Sequence, residues 1–215
     1  MTIVDDRSII TPKSCLKKIM VKQDTKQMLI EIGAQIIHQK GYHHTGIQEV
    51  IKAAGIPKGS FYFYFASKED FGLQVIDYFN NKHREMVLPI ISDSSLSPVK
   101  RLEKLFDWFI NRFREMDYTC GCPIGNLSQE MGDLSLAFRN KLKESIDRMV
   151  QLILGLLQEG HEKGEVPATL DLEEAANFIV SGWHGSLIRM KIVKSTEPLE
   201  NHKRFILHTL LKQVD

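Results

Sequence analysis

From residue 24 almost to its end, the chain repeats apolar residues three and four positions apart and nowhere settles into the alternation a strand requires. That periodicity confines it to helices. Leu29, Ile32, Ile36 and Ile37 form the first stripe, and the glycine of "KGY" at 40 to 42 stops a helix expected over about 24 to 40. Thr45 with Gln48 has capping-box spacing, so a short second helix is expected through Ile47, Val50 and Ile51 to "AAG" at 53 to 55. The turn "IPKGS" leads into a third short helix over about 58 to 65. Ser67 caps a long fourth helix that fades near Pro89. Beyond a Ser/Pro-rich linker at 92 to 98, helices are expected over about 98 to 116, 123 to 131, 134 to 162, 171 to 193 and 198 to 212. The fold class is all-α with about nine helices: an extension over 1 to 22 expected to be disordered, a three-helix unit over 23 to 70, and a helical bundle over 71 to 215.

Composition excludes several classes. No run of 18 apolar residues is present, so no membrane partner is expected, and the N-terminus is acidic first and builds no signal peptide. Three cysteines in a chain of 215 residues argue for a reducing compartment, and the expected location is the cytoplasm. Net charge is only +1, but residues 7 to 68 carry ten Lys/Arg against three acids, 10 − 3 = +7. That basic end is where a polyanion would bind.

Two short helices joined by a tight glycine-bearing turn, with a longer helix on either side, are the ingredients of a helix-turn-helix. Its second short helix lies in the major groove of DNA. Here that helix carries "PKGSFYFYFASKEDF", residues 57 to 71, with six aromatic rings. Phe61 and Phe65 are four apart and are expected to plug the core against Ile36, Ile47 and Val50, while Tyr62, Phe63 and Tyr64 point elsewhere. Tyrosine hydroxyls can donate to phosphates, and Lys58 and Lys68 bracket them with positive charge. Gly59 lets the helix start approach DNA closely, and Ser60 can cap it or donate a hydrogen bond. The competing reading for the tyrosines is a partly buried ring with its hydroxyl in water.

Residues 25 to 71 resemble the DNA-binding domain of TetR-family transcriptional regulators, through the "GY…T" after the first helix, the "AAG" turn, "KGSFY" followed by "YF", and "SKED". The resemblance implies a following all-α ligand-binding and dimerisation domain, a double-stranded DNA operator as partner, and release from it when a small-molecule inducer binds. It assigns DNA contact to Thr45, Lys58, Gly59, Ser60, Tyr62, Phe63, Tyr64 and Lys68. Two positions depart from the family pattern. Gly46 replaces a common Ser/Thr, and "YFYF" replaces "YYHF", so Phe63 lacks the phosphate donor often found there and Tyr64 replaces a histidine.

In the C-terminal part, "DYTCGCPIGNLSQEMGDLS" at 117 to 135 stands out. Cys120 and Cys122 are too close for an unstrained disulfide, and three cysteines with scattered histidines lack zinc-ligand spacing, so no metal or other cofactor is expected. Pro123 in a first turn would place Cys122 at a helix N-cap, where a thiolate can be stabilised; the alternative is a small buried thiol. This stretch and "KIVKSTEPLEN" resemble the TetR branch that includes N-ethylmaleimide-responsive repressors, which implies electrophile sensing at Cys122, although other members recognise reversible ligands. For an ordinary ligand the candidates are Trp108, Phe109, Phe113, Met149, Leu152, Trp183 and the polar anchor His184. An enzyme reading would pair Cys122 with His184 and use Glu130 or Asp133 as orienter, but no nucleophile elbow, phosphate loop or metal signature supports it. A basic helical adaptor is a third class. A homodimer is expected because one helix-turn-helix reads only a half-site. Its interface is expected on Leu172, Ala176, Ile179, Trp183 and Leu187 of one helix and Phe205 and Leu210 of the next, unless one chain buries both stripes itself.

Overall fold

The structure, a computed structural model, describes the backbone of residues 12–57 and 59–212, with side chains from residue 24 onward. Every regular element among them is helical: α1 (Pro12–Lys40), α2 (Ile47–Ala53), α3 (Phe61–Tyr64), α4 (Lys68–Ile91), α5 (Pro98–Glu115), α6 (Pro123–Met131), α7 (Leu136–Glu162), α8 (Leu172–Val193) and α9 (Glu197–Phe205), closed by a π turn over Ile206–Leu210. No described helix is long and apolar enough to cross a membrane.

The departures from expectation sit at helix ends, where local chemistry decides. α1 begins at Pro12, well ahead of residue 24, on a proline whose fixed φ suits a first turn. Residues 1–11 of the expected extension lie outside the described residues. Thr45 does not cap α2. Gly46 holds the N-cap position, and the Thr45 hydroxyl instead donates 2.7 Å to the Gly41 carbonyl. α3 is a single turn, because Ser60 N–H closes back on the Pro57 carbonyl at 2.9 Å and leaves the preceding residues in a turn. Ser67 caps α4 as expected, accepting from Asp70 N–H at 3.0 Å, while the Asp70 carboxylate accepts from Ala66 N–H at 2.9 Å. That reciprocity satisfies donors on both sides of the helix start.

The main core ignores the boundary expected near residue 70. Leu29, Ile37, Val50, Phe61, Phe65, Phe71 and Val75 pack in one cluster with Ile124, Leu127 and Met131 of α6 and Phe138 and Leu142 of α7. Gly72 marks the tightest crossing: a Cβ there would lie 2.5 Å from the Phe138 ring and 2.6 Å from that of Tyr42. A second cluster joins the end of α4 to α5, α7 and α8, and buried Arg101 ties it together through Glu159 and, at 2.8 Å, the Ile91 carbonyl. A third, smaller cluster sets Ile110 and Phe113 of α5 against Leu187, Met190 and Leu199.

Candidate nucleic-acid interface and ligand cavity

On the single turn of α3, Phe61 and Phe65 are buried as expected. Their rings meet Phe71 at 5.3 and 4.9 Å, an aromatic trio that anchors the turn. With both inward positions filled, Tyr62 and Phe63 are driven outward and are 65% and 63% exposed. Tyr64 differs from its neighbours: it is half-buried against the main core, with its ring 5.2 Å from that of Phe63. Gly59 has open space where a side chain would stand. Ser60 is half-buried and makes no side-chain cap bond. Lys58 lies outside the described residues.

Two residues assigned to DNA contact have structural duties within the chain. Thr45 is 1% exposed and its hydroxyl is committed to Gly41, so it fixes the turn before α2 and has no free donor for a phosphate. Lys68 donates to the Tyr42 carbonyl at 2.9 Å and stands 4.4 Å from the centre of the Tyr42 ring. Burial lowers its ammonium below the usual lysine value, opposed by Glu130.

A cavity of about 390 Å³ opens among α1, α4, α5, α6, α7 and α8. Seven residues named from sequence as ligand or sensor candidates line it: Phe109, Phe113, Cys122, Met149, Leu152, Trp183 and His184. Trp108 does not; it packs edge-on against Phe109, with Arg112 over its ring. Pattern reading missed Phe79, His83, Arg112 and, above all, His38. That histidine stands one turn beyond Ala34 on α1, and both residues line the cavity.

Each wall group has a defined state. Cys122 is the N-cap of α6 as expected, and its Sγ accepts from Gly125 N–H at 3.5 Å. Burial nevertheless pushes the thiol up, against the pull of the Gly125 and Ile124 amides, so it rests protonated. His184 Nδ1 lies 3.0 Å from the Val180 carbonyl and His38 Nε2 lies 2.9 Å from the Gly121 carbonyl. His38, His83 and His184 are all lowered from the usual imidazole value, chiefly by burial, and are neutral at pH 7. A Cβ on Gly125 would sit 2.8 Å from the His184 ring, so only glycine lets α6 come this close to α8. No catalytic triad assembles: His184 Nδ1 is occupied by a backbone carbonyl, and Glu130 serves a different partner.

That partner is the turn before α2. The Glu130 carboxylate, near the end of α6, accepts the amide hydrogens of Tyr42 at 2.8 Å and His43 at 2.7 Å. The Tyr42 ring packs 4.8 Å from that of Phe138 on α7, and burial, with Glu69 and Glu130 nearby, pushes its phenol up to about 12. α6 therefore begins in the cavity wall at Cys122 and ends on the turn that positions α2 and α3.

The expected dimer stripe on α8 faces inward. Ala176, Ile179 and Leu187 are buried within the chain, Leu172 and Leu210 pack against the second cluster, and Trp183 lines the cavity. The stripe was mis-faced because α8 is apolar on two sides. Its outer side shows Phe178 at 51% and Ile192 at 75% exposure, with Ile188 and Val193, and Phe205 of α9 lies 6.1 Å from Phe178.

Comparison with known proteins places this arrangement. Residues 98–206 match the family profile described as "Tetracyclin repressor-like, C-terminal domain", and residues 29–75 match "Bacterial regulatory proteins, tetR family". The HTH-type transcriptional repressor DhaR of Mycobacterium sp. (strain GP1) is 33% identical over 91% of this chain and 97% of its own. A crystal structure of a regulatory protein TetR from Rhodobacter sphaeroides shares 34% identity with a TM-score of 0.77, covering 83% of this chain and 94% of that one. The reduced form of E. coli NemR aligns with a TM-score of 0.79 at 26% identity, covering 87% and 97%.

Replacing Glu130 with Ala leaves the part-buried Tyr42 amide without its acceptor, while the exposed His43 amide turns to water. Urea unfolding is expected to report a loss of about 1 to 3 kcal/mol, and DNA affinity should fall with it; an unchanged unfolding midpoint would remove Glu130 from this role.

Proposed function

Because the chain belongs to the TetR family of bacterial regulatory proteins, we propose that it acts in the cytoplasm as a transcriptional repressor: a homodimer holds a palindromic operator and lets go when a small molecule fills the cavity. The chain is a DNA-binding regulator rather than an enzyme. The observation that carries the release step is the span of α6, from Cys122 in the cavity wall to Glu130 on the Tyr42–His43 turn. A ligand that shifts the start of this one short helix shifts the seat of α2, and with it α3. Only a ligand with different affinity for the two arrangements can drive such a change.

Tyr62 and Phe63 supply the outward face of α3, the first as a phosphate donor and the second as an apolar contact for a thymine methyl group. Tyr64 serves mainly to seat the turn, and Lys68 acts through Tyr42. Dimerisation uses the outer side of α8, with Phe178, Ile188 and Ile192 beside Phe205 and open space at Gly185 for close approach. Half-site spacing on the operator then mirrors the twofold axis.

Reversible occupancy is favoured over covalent sensing because Cys122 rests as a protonated, half-buried thiol. An electrophile is still served by the same cavity wall, since Cys122 lines it.

Three outcomes check this reading. Tyr62→Phe is expected to weaken operator binding about tenfold, the value of one hydrogen bond to a charged group, with the melting temperature unchanged; full affinity would take Tyr62 off the DNA. Phe178→Glu with Phe205→Glu should convert dimer to monomer in sedimentation experiments and abolish tight operator binding, whereas a persistent dimer would place the interface elsewhere. After treatment with N-ethylmaleimide, the native protein and Cys122→Ser should keep the same operator affinity; selective release of the native protein would establish covalent sensing at Cys122.

A further inference from the structure

The cavity wall has a chemical bias that the fold alone does not require. Among the described residues lining it, the charged or titratable groups are His38 of α1, Tyr78, Lys82 and His83 of α4, Arg112 of α5, Cys122 of α6 and His184 of α8. No carboxylate is among them, and α7 contributes only Met149, Leu152 and Ile153. Lys82 is partly compensated by Glu85, whose carboxylate lies 2.7 Å away and does not line the cavity. Arg112 is an exposed guanidinium set over Trp108. A cation entering this space would find no carboxylate, and Lys82 and Arg112 would oppose the pull of the aromatic faces.

The imidazoles have defined tautomers. A backbone carbonyl can only accept, so His184 carries its proton on Nδ1, toward Val180, and His38 carries its proton on Nε2, toward Gly121. In the neutral rings His184 Nε2 and His38 Nδ1 are therefore bare. His83 stacks on Phe109 in the same wall, 5.9 Å between ring centres, and its protonation is opposed by His184. Bare nitrogens in a largely apolar space are bases waiting for a proton and a counter-ion. Five aromatic side chains, Phe79, Phe106, Phe109, Phe113 and Trp183, share the rest of the wall with aliphatic and methionine side chains and the amide of Gln35.

We infer that the inducer is a compact apolar carboxylic acid, its ring or short chain seated among these aromatic side chains and its carboxylate held by His184 and His38 in the field of Arg112. The assignment rests on the cavity being the inducer site. A volume of about 390 Å³ suits a single ring or short acyl chain. A buried carboxylate needs a charged partner, and the wall provides one by taking a proton from solution: carboxylate, neutral imidazole and one proton combine into a carboxylate–imidazolium pair. The empty site holds its histidines below their usual value, and the bound anion raises them. Affinity is thus full below the empty site's lowered value, falls as pH rises from there to the raised value, and levels off above it. Lys191 beyond Gly121 and Arg112 beside it both oppose protonation of His38, which makes His184 the principal proton acceptor.

The test is calorimetry on the full chain with benzoate, 3-phenylpropanoate and hexanoate against their primary amides, in two buffers of different ionisation enthalpy. At least one acid is expected to bind at least tenfold more tightly than its amide, with uptake of about one proton, and to lose up to ~10-fold in affinity per pH unit above neutrality. His184→Gln should reduce the proton uptake, and the buffer dependence of the native protein stands even if that variant is unstable. Amides binding as tightly as acids, acids binding without proton exchange, or no acid binding would each overturn the assignment. Operator release separates this from the broader reading. Acids that bind with proton uptake but leave the operator complex intact support the ligand class and remove the inducer role. A cavity-filling Leu152→Trp or Val180→Phe that frees the operator, in a protein no acid binds, keeps the inducer role and overturns the ligand class.

Discussion

The carboxylate of Glu130 accepts two successive amide hydrogens from the Tyr42–His43 turn, and the rest of the arrangement is organised around that contact. Backbone amides in the turn between two helices need acceptors, and here the acceptor comes from a helix some ninety residues downstream rather than from local chain. The same turn is held by Lys68 on the Tyr42 carbonyl and by Thr45 on Gly41. These bonds add short polar contacts to the apolar core that the DNA-reading helices already share with the cavity helix. Polar contacts of this kind have narrow geometric tolerance, so the position of the turn is tied closely to that of α6.

Much of the helical plan is legible from sequence because its punctuation is local. Ser67, Pro98 and the Cys122-Pro123 pair each start a helix through their own side chain or ring, and each does so where expected. The alternate burial along Phe61–Phe65 is equally local, since one turn of helix leaves the inward rings little choice. Thr45 was misread because a capping-box spacing is satisfied equally well by a threonine that turns back to the preceding carbonyl. The long-range partners of Tyr42, Glu130 on α6 and Phe138 on α7, have no sequence signal at all, because they depend on how those helices cross the N-terminal ones.

The cavity was legible in part. Aromatic and methionine residues at helical spacing identify a helix that faces something apolar, and Phe113, Met149 and Trp183 do line the space. What spacing cannot decide is whether a given stripe meets its own chain, a ligand or a second copy. α8 shows the limit, since Ile179 and Leu187 are consumed within the chain while Phe178 and Ile192 remain outside. Two-sided apolarity is what a helix needs if it divides a cavity from an interface, and a single hydrophobic stripe is too simple a template for it.

The wall that His38 and Ala34 contribute to the cavity belongs to α1, within the segment that matches the family's DNA-binding unit. The reading and sensing parts are thus not modules in the genetic sense. An exchange of the first seventy residues between relatives would carry one side of the binding site along with the DNA-reading helices. In such a lineage, preference for an operator and preference for a ligand are inherited partly together, and drift in one alters the selective background of the other.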